Sequence, residues 1–118
     1  MDTLKSYAAI VKSALQNHVS LCQKGQNNIG LSDNITTFLV ADDLQGNYIW
    51  MTVGWQQGQR VCGITVYIRI HQNKVWIEED CTEDGIATDL IKAGISPDQI
   101  VLGFHPPQLR QYTEFAMA

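Results

Sequence analysis

The sequence predicts an α+β fold: an N-terminal helix packed on a four-stranded antiparallel β-meander, followed by a second helix, a short strand and an apolar C-terminal segment. Three observations lead to this prediction. Apolar residues recur at helical spacing near the start, apolar and polar residues alternate through the middle, and helix-capping residues follow. A chain of 118 residues suits one hydrophobic core, so residues 1–118 are expected to form a single domain.

Residues 4–22 are predicted to form the first helix because apolar side chains recur at steps of three and four. This stripe comprises Leu4, Tyr7, Val11, Ala14, Leu15, His18 and Cys22. Asp2 or Thr3 can supply the N-cap. Residues 23–34 are rich in Gly, Asn, Gln and Ser, which predicts a loop.

Residues 35–80 are predicted to form the meander, with two-residue turns between successive strands. The turns are placed at Gln45-Gly46, Gln57-Gly58 and Gln72-Asn73. The resulting pairs join apolar residues on one face: Val40 with Met51, Phe38 with Val53, Val53 with Cys62, Met51 with Ile64, Ile49 with Val66, Ile70 with Val75, and Ile68 with Ile77. A one-residue slip would move each apolar set to the other face, so this agreement supports the register, and the first helix is expected to cover this face.

The opposite face of the predicted sheet is unusually aromatic. It would carry Leu39, Tyr48, Trp50, Thr52, Thr65, Tyr67, Arg69, Trp76 and Glu78. Arg69 would lie across from Trp76, where a cation–π contact is possible. Three uses of this face stay open: cover by the second helix and tail, an interface with a second copy or another protein, and a stacking platform for single-stranded nucleic acid. The last is least favoured because only Arg69 supplies positive charge.

The C-terminal third is predicted to begin with a second helix over residues 82–93. Thr82 is a suitable N-cap, and Gly94 is placed to end the helix, with Ile95 as the following apolar contact. Ser96-Pro97-Asp98-Gln99 predicts a helical turn with a capping box. The remaining elements are a strand over residues 100–104, a break at His105-Pro106-Pro107, a helical turn over residues 108–112 and an apolar tail over residues 115–118.

Charge and cysteine content restrict the classes of function. The net charge is −4, and eight cationic side chains are scattered among twelve acids, so DNA is expected to be contacted only indirectly, if at all. The three cysteines, Cys22, Cys62 and Cys81, are too few and too widely spaced for a disulfide framework or zinc knuckle, and Cys62 is expected in the core. The N-terminus lacks a signal-peptide pattern and no apolar run is long enough to span a bilayer, which predicts a cytoplasmic protein without membrane contact.

The sequence contains no recognisable catalytic or cofactor motif, so we expect a non-enzymatic protein with no cofactor and no metal site. Phosphate-loop, dinucleotide-binding and nucleophile-elbow motifs are missing, and so is the Glu-x-Lys pair of metal-dependent nucleases. An acidic cluster could bind a divalent cation, but structural roles at a strand end and a helix start are favoured. The cluster consists of Glu78, Glu79, Asp80, Glu83 and Asp84.

The three histidines, His18, His71 and His105, share no ligand spacing, and His71 is expected to be solvated at a turn. His18 lies on the helical stripe and is expected to be half-buried with its hydrogen bonds satisfied. His105 is the best candidate for a polar site because Arg110 and Tyr112 follow closely. An ordered corner is favoured there over a catalytic site.

Several segments resemble the XisI-like family of cyanobacterial fdxN-element excision controlling factors. They are Met1-Asp2-Thr3-Leu4, Met51-Thr52-Val53-Gly54-Trp55, Val75-Trp76-Ile77-Glu78-Glu79-Asp80, Thr82-Glu83-Asp84-Gly85-Ile86-Ala87, Ala93-Gly94-Ile95, Val101-Leu102-Gly103-Phe104-His105-Pro106-Pro107, Arg110-Gln111-Tyr112-Thr113 and Phe115-Ala116. The resemblance runs over almost the whole chain and is weakest at residues 16–34 and 71–74. It implies an accessory role in the programmed removal of a DNA element, where a separate recombinase exchanges the strands and a nuclease-like XisH protein is the companion.

From these lines we expect a protein that binds other proteins, as a homodimer and with an XisH-like partner. The residues expected to make the contacts are Trp50, Tyr67, Arg69, Trp76, His105, Pro106, Pro107, Arg110, Tyr112 and Phe115. Two alternatives stay open. One is a small-molecule-binding domain or enzyme centred on His105 and Arg110, and the other is a regulator that binds DNA directly.

Overall fold

The computed structural model describes residues 3–29, 34–111 and 113–117 of the chain. In order, its elements are the helix α1 (Thr3–Ile29), the strands β1 (Asn34–Asp42), β2 (Asn47–Gln56), β3 (Gln59–His71) and β4 (Lys74–Asp80), the helix α2 (Ile86–Lys92), a 3₁₀ turn (Pro97–Gln99), the strand β5 (Ile100–Leu102) and the short helix α3 (Pro107–Arg110). The predicted α+β class is confirmed, and Tyr112 lies outside the described residues.

The sheet has five strands in the order β1-β2-β3-β4-β5, whereas the sequence predicts a four-stranded sheet. The short strand predicted over residues 100–104 is confirmed over Ile100–Leu102, and it joins this sheet as β5. The antiparallel meander of β1 to β4 is confirmed, and β5 adds to β4 in parallel. All three residues of β5 are buried, so their backbone groups need partners within the protein. β4 supplies some of them, and the Ala116 amide donates to the Ile100 carbonyl at 2.8 Å.

Helix α1 is longer than predicted, because it continues past residue 22 to Ile29. The first half of the predicted loop over residues 23–34 is therefore helical. Gln and Lys are good helix formers, and they outweigh Gly25, which costs about 1 kcal/mol relative to Ala. The Gln23 side-chain amide also donates to the Thr37 carbonyl at 2.8 Å, which anchors this part of α1 on β1.

The turn between β1 and β2 spans four residues, 43–46, instead of the predicted two. The Asp42 carboxylate accepts hydrogen bonds from the backbone amides of Leu44 and Gln45, each at 3.1 Å, and this stabilises the longer turn. The register moves by two residues, and the corrected pairs are Val40 with Ile49 and Phe38 with Met51. A shift of two keeps each side chain on its predicted face of the pair.

A β-bulge in β3 has a larger effect, because it reverses the two faces of β1 and β2. The pairs on its two sides are Trp50 with Val66 and Met51 with Ile64. Thr65 is thus the extra residue, and the predicted pair of Ile49 with Val66 is wrong. One extra residue in β3 shifts its alternation of inward and outward side chains relative to β2. Residue pairs predicted with one regular register are therefore correct on one side of the bulge and wrong on the other.

The buried face of β1 and β2 is consequently the one that the sequence predicts to be outermost. Leu39, Tyr48, Trp50 and Thr52 lie on the α1 side. Trp50 stacks on His18 of α1, with 5.5 Å between ring centroids and 18° between planes. The side chains predicted for the core here point away from α1: Phe38, Val40, Ile49, Met51, Val53, Cys62 and Ile64.

The prediction holds for the strands beyond the bulge. The pairs Ile68 with Ile77 and Ile70 with Val75 are confirmed, and so is the position of Arg69 opposite Trp76. A second irregularity falls between Tyr67 and Ile68, where Glu78 is the extra residue of β4. The turn at Gln72 and Asn73 has positive φ at both residues, 53° and 65°, as a type I′ turn requires.

The core lies between the sheet and the two longer helices, which pack on the same face. Its buried members include Val11, Leu15 and Val19 from α1, Tyr48, Trp50, Val66, Ile68, Val75 and Ile77 from the sheet, and Ile86, Leu90 and Ile95 from α2 and its C-terminal turn. Burying one such large side chain contributes about 1.5–3 kcal/mol. Among the described residues, no helix is both long and apolar enough to cross a membrane.

Helix α2 begins later than predicted, and Asp80 takes the capping role expected of Thr82. The Asp80 carboxylate accepts from the backbone amides of Ile86 at 2.8 Å and Thr82 at 2.9 Å, so it satisfies donors around the start of α2. At the other end, Gly94 has a φ of 114° and the Ile95 amide donates to the Leu90 carbonyl at 3.0 Å. The predicted glycine stop is confirmed.

The other predicted caps are not formed as expected. Thr3 lies within α1, and Asp2 is outside the described residues. Ser96 does precede the 3₁₀ turn, but its hydroxyl donates to the Asp98 carboxylate and not to the backbone. The helical turn is therefore confirmed and its capping box is wrong.

Candidate interaction surfaces

The bulge leaves an apolar surface on the sheet, opposite to α1 and α2, which we call the open face. It is formed by the outward side chains of β1 to β3: Phe38, Val40, Ile49, Met51, Val53, Trp55, Cys62 and Ile64. Ile64 is 39% exposed and Trp55 is 52% exposed, although both are large and apolar. Contiguous apolar patches of this kind are rare on monomeric proteins and mark sites of interaction.

The two ends of the open face differ in charge. Arg60 lies over the Trp55 ring at 5.6 Å from the centroid, which makes this end basic. At the other end, Arg69 is neutralised by Glu78, with 2.6 Å between Nε and Oε2. Glu79 is exposed there and pairs with Tyr67 in the ladder. Glu79 therefore places a carboxylate at this end of the apolar surface, and the cations Lys74 and Arg110 lie further along β4, beside Trp76.

Trp76 connects the open face to the C-terminal segment. The guanidinium carbon of Arg69 lies 5.9 Å from its ring centroid, and that of Arg110 lies at 5.4 Å. The indole N–H donates to the His71 carbonyl at 3.1 Å. The cation–π contact predicted for Arg69 is confirmed, and Arg110 adds a second one that β-strand pairing alone could not predict.

Residues 104–110 together with Met117 form a second exposed surface, the C-terminal corner. Arg110 organises it, because Nε donates to the His105 carbonyl at 3.1 Å and Nη1 to the Met117 carbonyl at 3.3 Å. Apolar side chains of this corner face solvent: Phe104 is 45% exposed and Leu109 is 46% exposed. The Arg110 guanidinium thus fixes residues 105 and 117 relative to each other, in agreement with the ordered corner that the sequence predicts.

Apart from Tyr112, which lies outside the described residues, the residues expected to make partner contacts separate into three groups. Trp50 does not belong to a surface, because it is 8% exposed and packs beneath α1; its predicted place on the outer face is wrong. Phe115 is half-buried and packs against the core. Those on or beside the two surfaces are Tyr67, Arg69, Trp76, His105, Pro106, Pro107 and Arg110.

A groove of about 630 Å³ between α1 and α2 is a third concave feature, which the sequence analysis missed. Its walls carry small side chains such as Ala9, Ser13 and Ala14, which leave the space between the helices unfilled. At its margin, His18 Nε2 lies 2.6 Å from an Asp89 carboxylate oxygen. His18 is half-buried and hydrogen-bonded, as predicted, but its partner could not be identified because only the folded chain brings residues 18 and 89 together.

The His18 and Asp89 pair orients an imidazole as in general-base sites, yet a base needs a nucleophile within hydrogen-bond reach. Ser13 lines the same groove, and the hydrogen bonds found among the described side chains join His18 only to Asp89. The pair therefore has the geometry of a tie between two helices. It holds α2 against α1 while Trp50 supports the ring from below.

The acidic residues near the end of β4 have separate structural partners. Glu78 binds Arg69, and Asp80 caps α2. Cys81 Sγ donates to Glu79 at 3.4 Å, and this hydrogen bond, followed by burial, raises the pKa of the thiol. Within residues 3–29, 34–111 and 113–117, no three His, Cys, Asp or Glu side chains converge as a metal site would require.

A second polar cluster joins α1 to the β1–β2 turn through Asp43. Lys12 Nζ lies 2.9 Å from one carboxylate oxygen, and the Tyr48 hydroxyl donates to the other at 2.7 Å. Both contacts lower the pKa of Asp43, with Lys12 the larger cause. Burial, and then the hydrogen bond to Asp43, raise the pKa of Tyr48.

Fold and surfaces together define a small α+β protein whose longer helices cover one face of a five-stranded sheet, while apolar side chains remain exposed on the other. The sequence matches the XisI protein family over residues 1–117, and the chain belongs to this family. The family resemblance seen in the sequence is thus confirmed.

Two solved structures from Anabaena variabilis are similar over nearly their full lengths. One is a XisI-like protein with 30% identity and a TM-score of 0.84, for which the match covers 98% of this chain and 99% of that one. The other is fdxN element excision controlling factor XisI, with 33% identity and a TM-score of 0.79, covering 99% of this chain and 100% of that one. No curated protein shows a significant match.

Proposed function

We propose that this chain is a non-catalytic accessory protein in the control of DNA-element excision, acting in the cytoplasm through contacts with other proteins. Membership in the XisI family, which includes an excision controlling factor, supports the process. The observation that carries the mode of action is the exposure of apolar side chains at the C-terminal corner, on a segment held in place by Arg110. A surface of this kind suits binding.

The use of the charged side chains supports a non-catalytic role. Arg69 neutralises Glu78, Asp80 caps α2, and His18 ties α1 to α2 through Asp89. Catalytic groups are usually arranged toward a cleft with perturbed ionisation. Here these groups bind one another or the backbone, which stabilises the fold.

The partner we propose for the C-terminal corner is the nuclease-like XisH companion. Arg110 fixes the corner before any partner arrives, so less conformational entropy is lost on binding. Leu109 and Phe104 supply apolar contact area, and Trp76 with Arg110 provides the residue types that dominate binding energy at interfaces. The companion would supply the nuclease chemistry and this chain would control it.

Co-purification with the XisH-like companion from the same host tests the proposal. The unaltered tagged chain should retain the companion, and Leu109→Asp should weaken binding about 30-fold, since a buried interface side chain contributes about 2 kcal/mol. Leu44→Asp is the matched control, because Leu44 is 91% exposed in the β1–β2 turn, away from the corner. Circular dichroism checks that both variants fold.

Two outcomes would contradict the proposal. One is recovery of the unaltered chain without its companion, at concentrations where both proteins are abundant and folded. Alternatively, Leu109→Asp and Phe104→Asp could both bind the companion as tightly as Leu44→Asp does. The first result would show that the XisH-like protein is not the partner. The second would show that the C-terminal corner is not the surface that binds it.

A further inference from the structure

We infer that the open face is the interface of a symmetric homodimer, in which two sheets pack face to face with their strands antiparallel. The inference concerns a different surface from the C-terminal corner and does not depend on the XisH-like companion. It rests on three properties of the open face: its apolar character, its size and the distribution of charge along it.

The apolar character of the open face favours its burial against a partner, because removing apolar surface from water lowers the free energy. Apolar side chains occupy the middle of the outward face of β1 to β3, whereas α1 and α2 pack on the other side of the sheet. Arg110 reaches over Trp76 on β4, but the apolar residues around Met51 and Ile64 lie on β2 and β3. A sheet face of this kind packs against another sheet about 10 Å away in β-sandwiches.

The size of the face approaches that of an ordinary dimer interface. Three strands spaced about 4.8 Å apart, with about ten residues of 3.4 Å each, form a surface of roughly 14 by 34 Å. Its projected area is on the order of 490 Å², and the accessible surface of a ridged sheet is larger than its projection. Standard interfaces bury about 800 Å² per partner, so the open face can supply more than half of one.

The charge distribution selects a second copy as the occupant. Arg60 is opposite Trp55, and Tyr67, which neighbours Glu79, is opposite Ile49. Arg60 and Glu79 are therefore six residues of β2 apart along the strands, or roughly 20 Å. A two-fold axis across the strands would exchange these positions, so that Arg60 of each copy lies over Tyr67 of the other, with Glu79 beside it on the neighbouring strand. A surface with one sign of charge would instead repel its own copy.

The same axis brings apolar residues together along the whole face. It passes between Met51 and Val53 on β2, which lie opposite Ile64 and Cys62. Met51 of one copy would then meet Val53 of the other. By the same operation, Trp55 would be covered by the region around Ile49, which accounts for the exposure of such a large side chain in a single copy.

The remaining cations beyond Glu79 are Arg110 and Lys74, and both are compatible with this arrangement. Lys74 is opposite His71, four residues further along β3 than Tyr67, so its counterpart in the second copy lies beyond the β2–β3 turn. Arg110 lies over Trp76, which is opposite Arg69, two residues further along β3 than Tyr67. The corresponding position in the second copy is beyond Arg60, at the turn formed by Gln57 and Gly58. Arg110 therefore does not face the cationic Arg60 of the other copy, and the C-terminal corner stays outside the dimer.

A charge exchange tests the interface with the purified chain alone, by sedimentation velocity over a range of concentrations. Arg60→Glu and Glu79→Arg should each raise the dissociation constant of the dimer about tenfold or more, because each puts like charges at two symmetric contacts. An equimolar mixture of the two variants should recover association close to that of the unaltered chain, since both contacts again join opposite charges. Added salt should reduce the differences between the variants.

Ile64→Asp provides a second disruption within the apolar part, with Leu44→Asp as the exposed control outside the face. Ile64→Asp should leave a folded monomer, whereas Leu44→Asp should still dimerise. An unaltered chain that sediments as a monomer at every accessible concentration would overturn the inference. So would unimpaired dimers of Ile64→Asp, or a mixture of the charge variants that fails to recover association. A monomer that still binds the companion would overturn this inference alone and leave the proposed function standing.

Discussion

Individual polar residues in this protein mostly connect elements that are distant in the sequence. Asp43 joins α1 to the β1–β2 turn through Lys12 and Tyr48, and His18 joins α1 to α2 through Asp89. The sequence indicated that His18 would be half-buried, because it lies on an apolar helical stripe. Its partner could not be predicted from spacing, since the contact depends on how the two helices are placed on the sheet.

Asp43 gives a pH-dependent prediction at this scale. Its pKa is lowered in the folded protein by Lys12 and then by Tyr48, so its carboxylate stabilises the fold above the unfolded pKa, near 3.8. This contribution is lost as the pH falls through the lower folded pKa. Asp43→Asn should therefore reduce the urea midpoint at pH 7, and the deficit should shrink as the medium becomes strongly acidic.

Asp84→Asn is the matched control for this measurement. Asp84 is exposed, and its backbone carbonyl, which the substitution keeps, accepts a hydrogen bond from the Thr88 hydroxyl. The control should follow the unaltered chain over the whole pH range. A deficit for Asp43→Asn that stays constant from neutral to strongly acidic pH would contradict the role assigned to its carboxylate.

At the scale of elements, local sequence patterns were sufficient to predict that the helices and strands exist, but not the full length of α1, the start of α2 or the faces of the sheet. The stop of α2 at Gly94 and the turns at Gln57 and Gln72 follow from local backbone chemistry. The bulge at Thr65 has no strong local signal, because Thr suits a regular strand equally well. One unpredicted residue therefore exchanged the inner and outer sets of β1 and β2.

The β3–β4 turn gives a prediction for an element. Gln72 and Asn73 both have positive φ, which Asn followed by Gly adopts at the lowest cost. Replacing Gln72→Asn together with Asn73→Gly should stabilise the protein by about 0.5–1 kcal/mol in chemical denaturation. Gln72→Ala with Asn73→Ala should have the opposite effect, because alanine disfavours the left-handed region. Equal stabilities for the two double variants would contradict the turn geometry.

For the whole molecule, the sequence predicted an aromatic and apolar surface that requires a partner, and the structure places that surface differently. Trp50 is in the core, while the open face consists of residues expected to be buried, including Met51 and Cys62. The sequence therefore correctly predicted that one face of the sheet is apolar and exposed, but it assigned the wrong residues of β1 and β2 to that face. The sequence alone could not locate it, because both faces of these strands are apolar enough to form a core.

Alkylation of Cys62 tests the central claim most directly, because this thiol lies on the open face and is exposed in a single copy. In a Cys22→Ser and Cys81→Ser background, the account predicts rapid reaction in dilute solution. The reaction should slow progressively as the protein concentration rises and the second copy covers the face. Slow reaction at every concentration would mean that Cys62 is buried in the core, and rapid reaction at every concentration would mean that no second copy covers it; either result would contradict the account.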